Sequence, residues 1–538
     1  MDVNGRVHPR PFGAIGKEPD NKKKAGYLCS MIPLLSAEQL RQADAYTMAH
    51  EPIASIDLME RAATACANKL METLACDVPV AVLVGMGNNG GDGVAMARIL
   101  NMAGQPVRII VPRYKPQGSP DFEANLGRAR KDRIPVDFLE EGAELPAFTR
   151  GTLVIDALFG TGLQRPVTGW LKELVMALNQ RLDPVLSIDL PSGLFVEVNA
   201  ANDPEAIVQA DRTFTLELPK LALLLAENAR YAGEWEVVPI GLDREFIASL
   251  ETDAVVLEAA DVAALMPVRN RYAHKGDFGH AWLLAGGEGK MGAALLAAKA
   301  CLRSGAGLLT VHVPAGQDGV VHATLPEAMV SLDEDGTALA GLPKFEKVSA
   351  IGVGPGIGKA DGTARMLKLL IQQAPAPLVI DADAINILAE NKTWLAFLPE
   401  GTILTPHPKE FDRLAGKAAN DHDRLMKAKE LAVRLKAVVV LKGAYTAISA
   451  PDGRTFFNAT GNPGMAKGGS GDALTGIITG LRAQGLDALS AALLGVYAHG
   501  KAGDLAAEHL GMDGMLPSDL IEQLPNVWKQ LRGGKMNM

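Results

Sequence analysis

The chain has 538 residues, more than one hydrophobic core supports, because single cores stop growing at roughly 250–300 residues. At 48% hydrophobic and 21% charged, it has the balance of a globular protein rather than a disordered or fibrous one. A net charge of −9 without a basic stripe argues against nucleic acid as a partner, and no apolar run reaches the roughly 18–20 residues of a membrane span.

Residues 1–30 carry "NKKKAG" and scattered Pro and Gly but no apolar h-region. They read as a disordered extension, not a secretory signal. Cys29, Cys66, Cys76 and Cys301 form no C-x-x-C pair, which suits reduced thiols in a cytoplasm. At "SAEQLRQADAYTMA" the pattern turns helical, with Ser36 as cap and Leu40, Ala43 and Thr47 at helical spacing. Apolar, β-branched runs then alternate with amphipathic stretches: "PVAVLVG", "PVRIIVP", "TLVIDALFG", "PVLSIDLPSG" and "DRTFTLEL". Such runs are strands of a parallel sheet covered on both faces. The pattern breaks around "VVPIGLDREFIASLETDAVV", which places a boundary near 245–255. A second series follows: "HAWLLAGG", "AGLLTVHVP", "VSAIGVGPG", "APLVIDAD", "GTILTPHP" and "AVVVLKGA". The expected class is α/β, with one domain over 31–245 and another over 255–535.

In "VLVGMGNNGGDGVAMARIL" a strand leads into a glycine-rich loop, and a helix is expected to open near Val94. Gly85, Gly87 and Gly90 satisfy G-x-G-x-x-G, but the acid expected about twenty residues on is missing. Arg113 stands there instead and could suit a 2′-phosphate. A second such pattern, Gly287, Gly289 and Gly292 in "GGEGKMG", shows how weak the motif is alone. Asn88, Asn89 and Asp92 are what a dinucleotide fingerprint leaves unexplained. Two more strand ends are polar: Asp156 in "VIDALFGTGLQRP", and Asp189 with Ser192 in "SIDLPSG". Each acid could merely cap the helix that follows it. Three polar strand ends in one parallel sheet favour a shared crevice.

In this order "GNNGGDG", "DALFGTGLQRP" and "DLPSG" resemble the NAD(P)H-hydrate epimerase domain, from about Leu34 to Leu242. The resemblance implies a Rossmann-like three-layer α/β/α fold acting on hydrated NADH and NADPH (NADHX and NADPHX). It implies potassium held by Asn89, Asp156 and Ser192. Substrate contacts are implied for Asn88, Asn89, Gly90, Gly91 and Asp92, for Gly160, Thr161, Gly162, Leu163, Gln164, Arg165 and Pro166, and for Asp189. Asp189 is also the leading acid/base candidate. The continuation "FVEVNA" after "PSGL" departs from the acidic residues and glycine usual there.

Toward the C-terminus, "NPGMAKGGSGDALTGIITGLRAQG" sets Gly468, Gly469 and Gly471 before Asp472 and an apolar helix. Backbone N–H groups at such a helix start make an anion hole, and an adjacent Asp can take a hydroxyl proton. That equipment suits phosphoryl transfer to an alcohol. A glycine turn with a capping Asp is the plainer alternative. "TPHPKEFDRL" adds His407 and Glu410, the latter able to hold a metal through water. "LKGAYT" adds Lys442, able to reach phosphates, and "IGVGPGIG" adds a glycine turn at 351–358.

These blocks resemble the ribokinase-like superfamily. "HKGDFG", "RSGAGL" and "VIDADAINILA" resemble its ADP-dependent (S)-NAD(P)H-hydrate dehydratases, over about 260–530. The "GGEGKMG" segment departs mildly from a Ser and an aromatic there. The resemblance implies Asp472 as catalytic base, with Ala293, Gly356, His407 and Asp472 at the substrate. It implies Lys442, Gly443, Ala444, Tyr445, Thr446 and Gly471 at ADP or AMP, with Mg2+ accompanying ADP as co-substrate. Together the halves resemble bifunctional NAD(P)H-hydrate repair enzymes, cytoplasmic and homo-oligomeric. They would interconvert the R and S hydrates, then dehydrate the S form to NAD(P)H, AMP and phosphate. Two rival readings stay open: a vitamin-precursor kinase with a regulatory Rossmann-like domain, and a non-catalytic nucleotide-binding scaffold.

Overall fold

The computed structural model describes residues 31–533; the expected extension over 1–30 lies outside the described residues. In chain order the strands are β1 (Ile32–Pro33), β2 (Val80–Val84), β3 (Val107–Pro112), β4 (Val136–Leu139), β5 (Leu153–Ala157), β6 (Val185–Ile188), β7 (Arg212–Leu216) and β8 (Glu234–Val238). There follow β9 (Ala254–Val256), β10 (His280–Leu284), β11 (Leu308–Val313), β12 (Met329–Leu332), β13 (Ala350–Val353), β14 (Leu378–Ile380), β15 (Ile403–Leu404), β16 (Val438–Leu441), β17 (Thr446–Ser449) and β18 (Thr455–Asn458). They build two sheets with helices between the strands, so the expected α/β class holds.

The first sheet has seven parallel strands in the order β4-β3-β2-β5-β6-β7-β8. All five residues of β2 and of β5 are buried, as continuous apolar runs covered on both faces must be. Chain order reverses between β2 and β5. That is where a doubly wound sheet opens a crevice. The Ala37–His50 helix starts as expected: Ser36 and Gln39 form a capping box, and Leu40, Ala43 and Thr47 are buried.

One helix starts earlier than its sequence suggests. The Asn88–Met102 helix begins six residues before Val94, with Gly87 as its cap. Most of the glycine run is therefore helical. Close packing is the reason: a Cβ at Gly90 would lie 1.6 Å from the Gly85 carbonyl oxygen, and one at Gly91 would meet the Met59 side chain. Here the glycines bring a helix start onto a strand end rather than make a turn.

The second sheet has eleven strands in the order β1-β9-β18-β17-β16-β15-β14-β13-β10-β11-β12. From β16 through β12 it is parallel, and its own reversal falls between β10 and β13. β17 pairs antiparallel with both β16 and β18. β1 pairs antiparallel with β9, so Ile32 and Pro33, read from sequence as part of the first half, form an edge of the second sheet. Leu34, Leu224 and Leu225 share one buried cluster with Val256, Leu425, Ala447 and Phe457, so the two halves meet across apolar surface. Among the described residues no helix is long and apolar enough to cross a membrane.

Candidate active sites

The first site lies at the reversal between β2 and β5. A cavity of about 270 Å³ is lined there by Asn88, Asp92, Thr161, Asp189 and Lys220, among others. Asp189 ends β6 with φ +69, a left-handed conformation costly for a non-glycine residue. Its Oδ1 receives the Lys220 ammonium at 2.6 Å, an ion pair almost wholly out of solvent, and Lys220 also donates to the Leu216 carbonyl. Asp189 Oδ2 accepts from Thr161 N at 3.4 Å. Burial holds the Asp92 carboxyl well above the usual carboxylate range, and the Asp189 charge adds to the effect.

Asp156 does not cap a helix. Its carboxylate is buried beneath the cavity and accepts from Ser192 Oγ at 2.6 Å, Ser187 Oγ at 2.7 Å, Ser192 N at 2.8 Å and Leu158 N at 3.3 Å. Ser192 Oγ lies 3.1 Å from the Phe159 carbonyl oxygen and accepts from Phe159 N. The next residue, Gly160, meets Asn89: a Cβ there would sit 3.1 Å from Asn89 Oδ1. Asn89 Nδ2 is buried without a hydrogen-bond partner among the described residues. Asn89, Asp156 and Ser192 thus gather around the start of the Gly160–Pro166 loop. In that loop Leu163 N closes a turn on Gly160 O, Gly162, Gln164 and Arg165 are exposed, and only Thr161 reaches the cavity wall.

The second site follows the same topological logic. The loops after β10 and β13 touch at the reversal, where Gly286 N donates to Pro355 O. Gly356, at φ +69, lies against Ala293, whose Cβ would be 3.2 Å from a Cβ built on the glycine. Nearby, the Ser470–Ala483 helix opens from Gly469, at φ +102. The backbone N–H groups of its first turn have no acceptor within the helix. The half-buried His499 ring, its basicity lowered to about 4 by desolvation, hydrogen-bonds Ser470 O and fixes this start.

Asp472 stands in that first turn. Burial, with the Asp381 charge second, pushes its carboxyl up to about 6, against the opposing pull of Lys442. Asp381 ends β14 as the hub of the site: its carboxylate takes Lys442 Nζ at 2.8 Å and Thr475 Oγ1 at 2.6 Å. Gly471 adjoins both Lys442 Nζ and Asp381. His407 caps the Pro408–Ala415 helix, its Nδ1 accepting from Lys409 N and Glu410 N, and burial lowers its basicity. Glu410 closes the same capping box, 4.0 Å from Lys442 Nζ. Asp383 accepts from Gly358 N and Lys290, tying the Gly356 side of the site to the Asp381 side.

Gly443 and Ala444 are exposed at the rim. Tyr445 leaves the rim to meet Trp235 of β8, which belongs to the first sheet, with ring centroids 5.5 Å apart and planes tilted by 33°. The expected residues therefore gather at two places. Lys220, Asp381 and Thr475 join them without having been singled out from sequence.

The Carb_kinase family model, described as NAD(P)H-hydrate dehydratase, matches residues 281–526, and the model described as YjeF-related protein N-terminus matches 55–222. The chain is 36% identical over 515 residues to the bifunctional NAD(P)H-hydrate repair enzyme Nnr of Moorella thermoacetica, covering 93% of this chain and 97% of that one. It is 34% identical to the protein of the same name from Escherichia coli, covering 83% and 84%. A solved ADP/ATP-dependent NAD(P)H-hydrate dehydratase from Bacillus subtilis, co-crystallized with ATP/Mg2+, is 36% identical over 51% of this chain and 97% of that chain, with a TM-score of 0.46. With both family models matched in tandem and relatives this similar along nearly the whole length, the chain belongs to the bifunctional NAD(P)H-hydrate repair enzymes.

Proposed function

We propose that the first half, about 31–245, interconverts the R and S hydrates of NADH and NADPH, and that the second, about 255–535, dehydrates the S form with ADP. The observation that carries this reading is the pair of separate crevices, one at each sheet's reversal. One holds an acid/base pair, and the other a base beside a helix-start anion hole.

In the first half, Asp189 is the acid/base group and Lys220 orients it. The Gly160–Pro166 loop and residues 88–92 position the dinucleotide. Asn89 Oδ1, the Asp156 carboxylate and Ser192 Oγ are the hard oxygens that would hold a potassium ion. Such an ion would supply positive charge near the substrate's phosphates.

In the second half, the first-turn amides at Gly471 and Lys442 hold the ADP phosphates. The segment Gly443–Thr446 follows the nucleotide, while Ala293, Gly356 and His407 line the hydrate's place. Asp381 fixes Lys442 and leaves Asp472 to take the C6 hydroxyl proton as that oxygen attacks the β-phosphorus of ADP. AMP leaves, and loss of phosphate from C6 with a proton from C5 restores the ring double bond. Phosphate is a far better leaving group than hydroxide, which is the purpose of the transfer. Glu410, 4.0 Å from Lys442 Nζ, would be the carboxylate to meet magnesium arriving with ADP, and that ion would supply positive charge to the phosphates.

Supplying S-hydrate and ADP tests the scheme. Equal amounts of NADH, AMP and phosphate are expected. A phosphorylated dinucleotide that persists would make the second half a simple kinase.

A further inference from the structure

The Ala37–His50 helix brings one more carboxyl to the first site, and no sequence motif points to it. Asp44 lines the same cavity as Asp189 and Lys220. It is half-buried and, like Asp92, has no hydrogen-bond partner among the described residues, whereas Asp189 and Glu217 are tied down. Asp189 is held by Lys220, and Glu217 Oε2 accepts from the Ile240 and Gly241 amides at 2.7 and 2.8 Å. The charged groups facing Asp44 are Asp189 from β6, Glu217 and Lys220 after β7, Asp92 from the Asn88–Met102 helix, and Arg41 on its own helix.

Resting on the epimerase reading, we propose that Asp44 is the second catalytic carboxyl of this site, the proton donor that works opposite Asp189. The hydrate's C6 carries both the hydroxyl and the ring nitrogen N1. Asp44 protonates the hydroxyl; the C6–O bond breaks with its electron pair on oxygen, and water departs as the N1 lone pair forms a C6=N1 iminium. Water then adds to the opposite face, forming a new C6–O bond, and Asp189 takes its surplus proton. Nothing is oxidised or reduced, one proton is given and one taken, and exchange with solvent resets the two acids. The reverse epimerisation runs with the roles exchanged.

Charge distribution favours this division. Paired titratable groups with opposed environments divide into acid and base. Asp189 faces an ammonium at 2.6 Å. Burial and the negative charge of Asp189 push the Asp44 carboxyl up to about 6, with Lys220 opposing. A donor must hold its proton, so the rate should fall as pH rises through about 6.

The test is Asp44→Asn in the full chain, measured as R-to-S turnover across pH. The expected result is a kcat lower by about 10²–10⁴-fold, with KM moved less than about threefold and the descending limb near pH 6 gone. Asp44→Glu should restore the limb and part of the rate. A thermal melt of the Asn variant with the wild-type transition shows that the first half is folded. An Asn variant with wild-type kcat, or one that is slowed but keeps the limb, would overturn the assignment. A wild-type chain that dehydrates but does not epimerise would overturn the epimerase reading itself, and Asp44's role with it.

Discussion

Lys220 Nζ sits 2.6 Å from Asp189 Oδ1, and the two side chains are 1% and 9% exposed. A buried charge without its partner is costly. Lys220→Ala is therefore expected to destabilise the first half by about 3–5 kcal/mol and to abolish epimerisation. S-hydrate dehydration, at the other crevice, should remain near wild type below the melting range. A Lys220→Ala chain that melts normally and still epimerises would show that the pair organises nothing.

Asp472 must be ionised to act as a base, and its carboxyl is pushed up to about 6. Dehydration should therefore fall about tenfold per unit as pH drops below about 6. Asp472→Asn should lose about 10²–10⁴ in rate at pH 7. Stability should move the other way. A folded-state value above the unfolded one means that the ionised form costs stability above about 6, a cost that disappears as pH falls below the unfolded value near 3.8. The Asn variant is thus expected to melt no lower than wild type at pH 7, which a thermal scan checks.

Asp156 accepts four hydrogen bonds beneath the first cavity. In Asp156→Ala each buried donor left unmatched costs about 1–3 kcal/mol. The variant should also lose any dependence of R-hydrate turnover on potassium, read by replacing potassium with choline. Equal potassium response in variant and wild type would remove Asp156 from the ion site.

Trp235 of the first sheet and Tyr445 of the second half join the two halves. An aromatic pair contributes about 0.5–1.5 kcal/mol beyond its buried area. Trp235→Ala should lower the melting midpoint by a few degrees, about 2–4 °C for each kcal/mol lost. The ADP dependence of dehydration should be followed in the same variant, since Tyr445 borders the segment assigned to the nucleotide.

The central strands were legible because runs such as "VAVLV" and "VVVL" are apolar on both faces, a pattern only covered parallel strands need. β1 and β9 were not. At two and three residues they are too short for any period, and their pairing joins positions more than two hundred residues apart. The helix start at Asn88 was hidden because Gly90 and Gly91 read as loop until the strand end and Met59 that they approach are known. Asp156, Asp189 and Asp472 stood out as acids at strand ends or after glycines. Lys220 gave a fainter signal, a lone charge inside "LPKLALLL", whose partner lies 31 residues away. Thr475 lies inside an apolar helix, and only the fold turns it toward Asp381.

The most direct measurement follows recovery of NADH absorbance from a mixture of R and S hydrates with excess ADP. The wild-type chain is expected to recover all of the NADH, Asp189→Asn only the S share apart from slow spontaneous epimerisation, and neither any without nucleotide. Recovery by wild type that stops at the S share, or that proceeds without nucleotide, would contradict the proposed function.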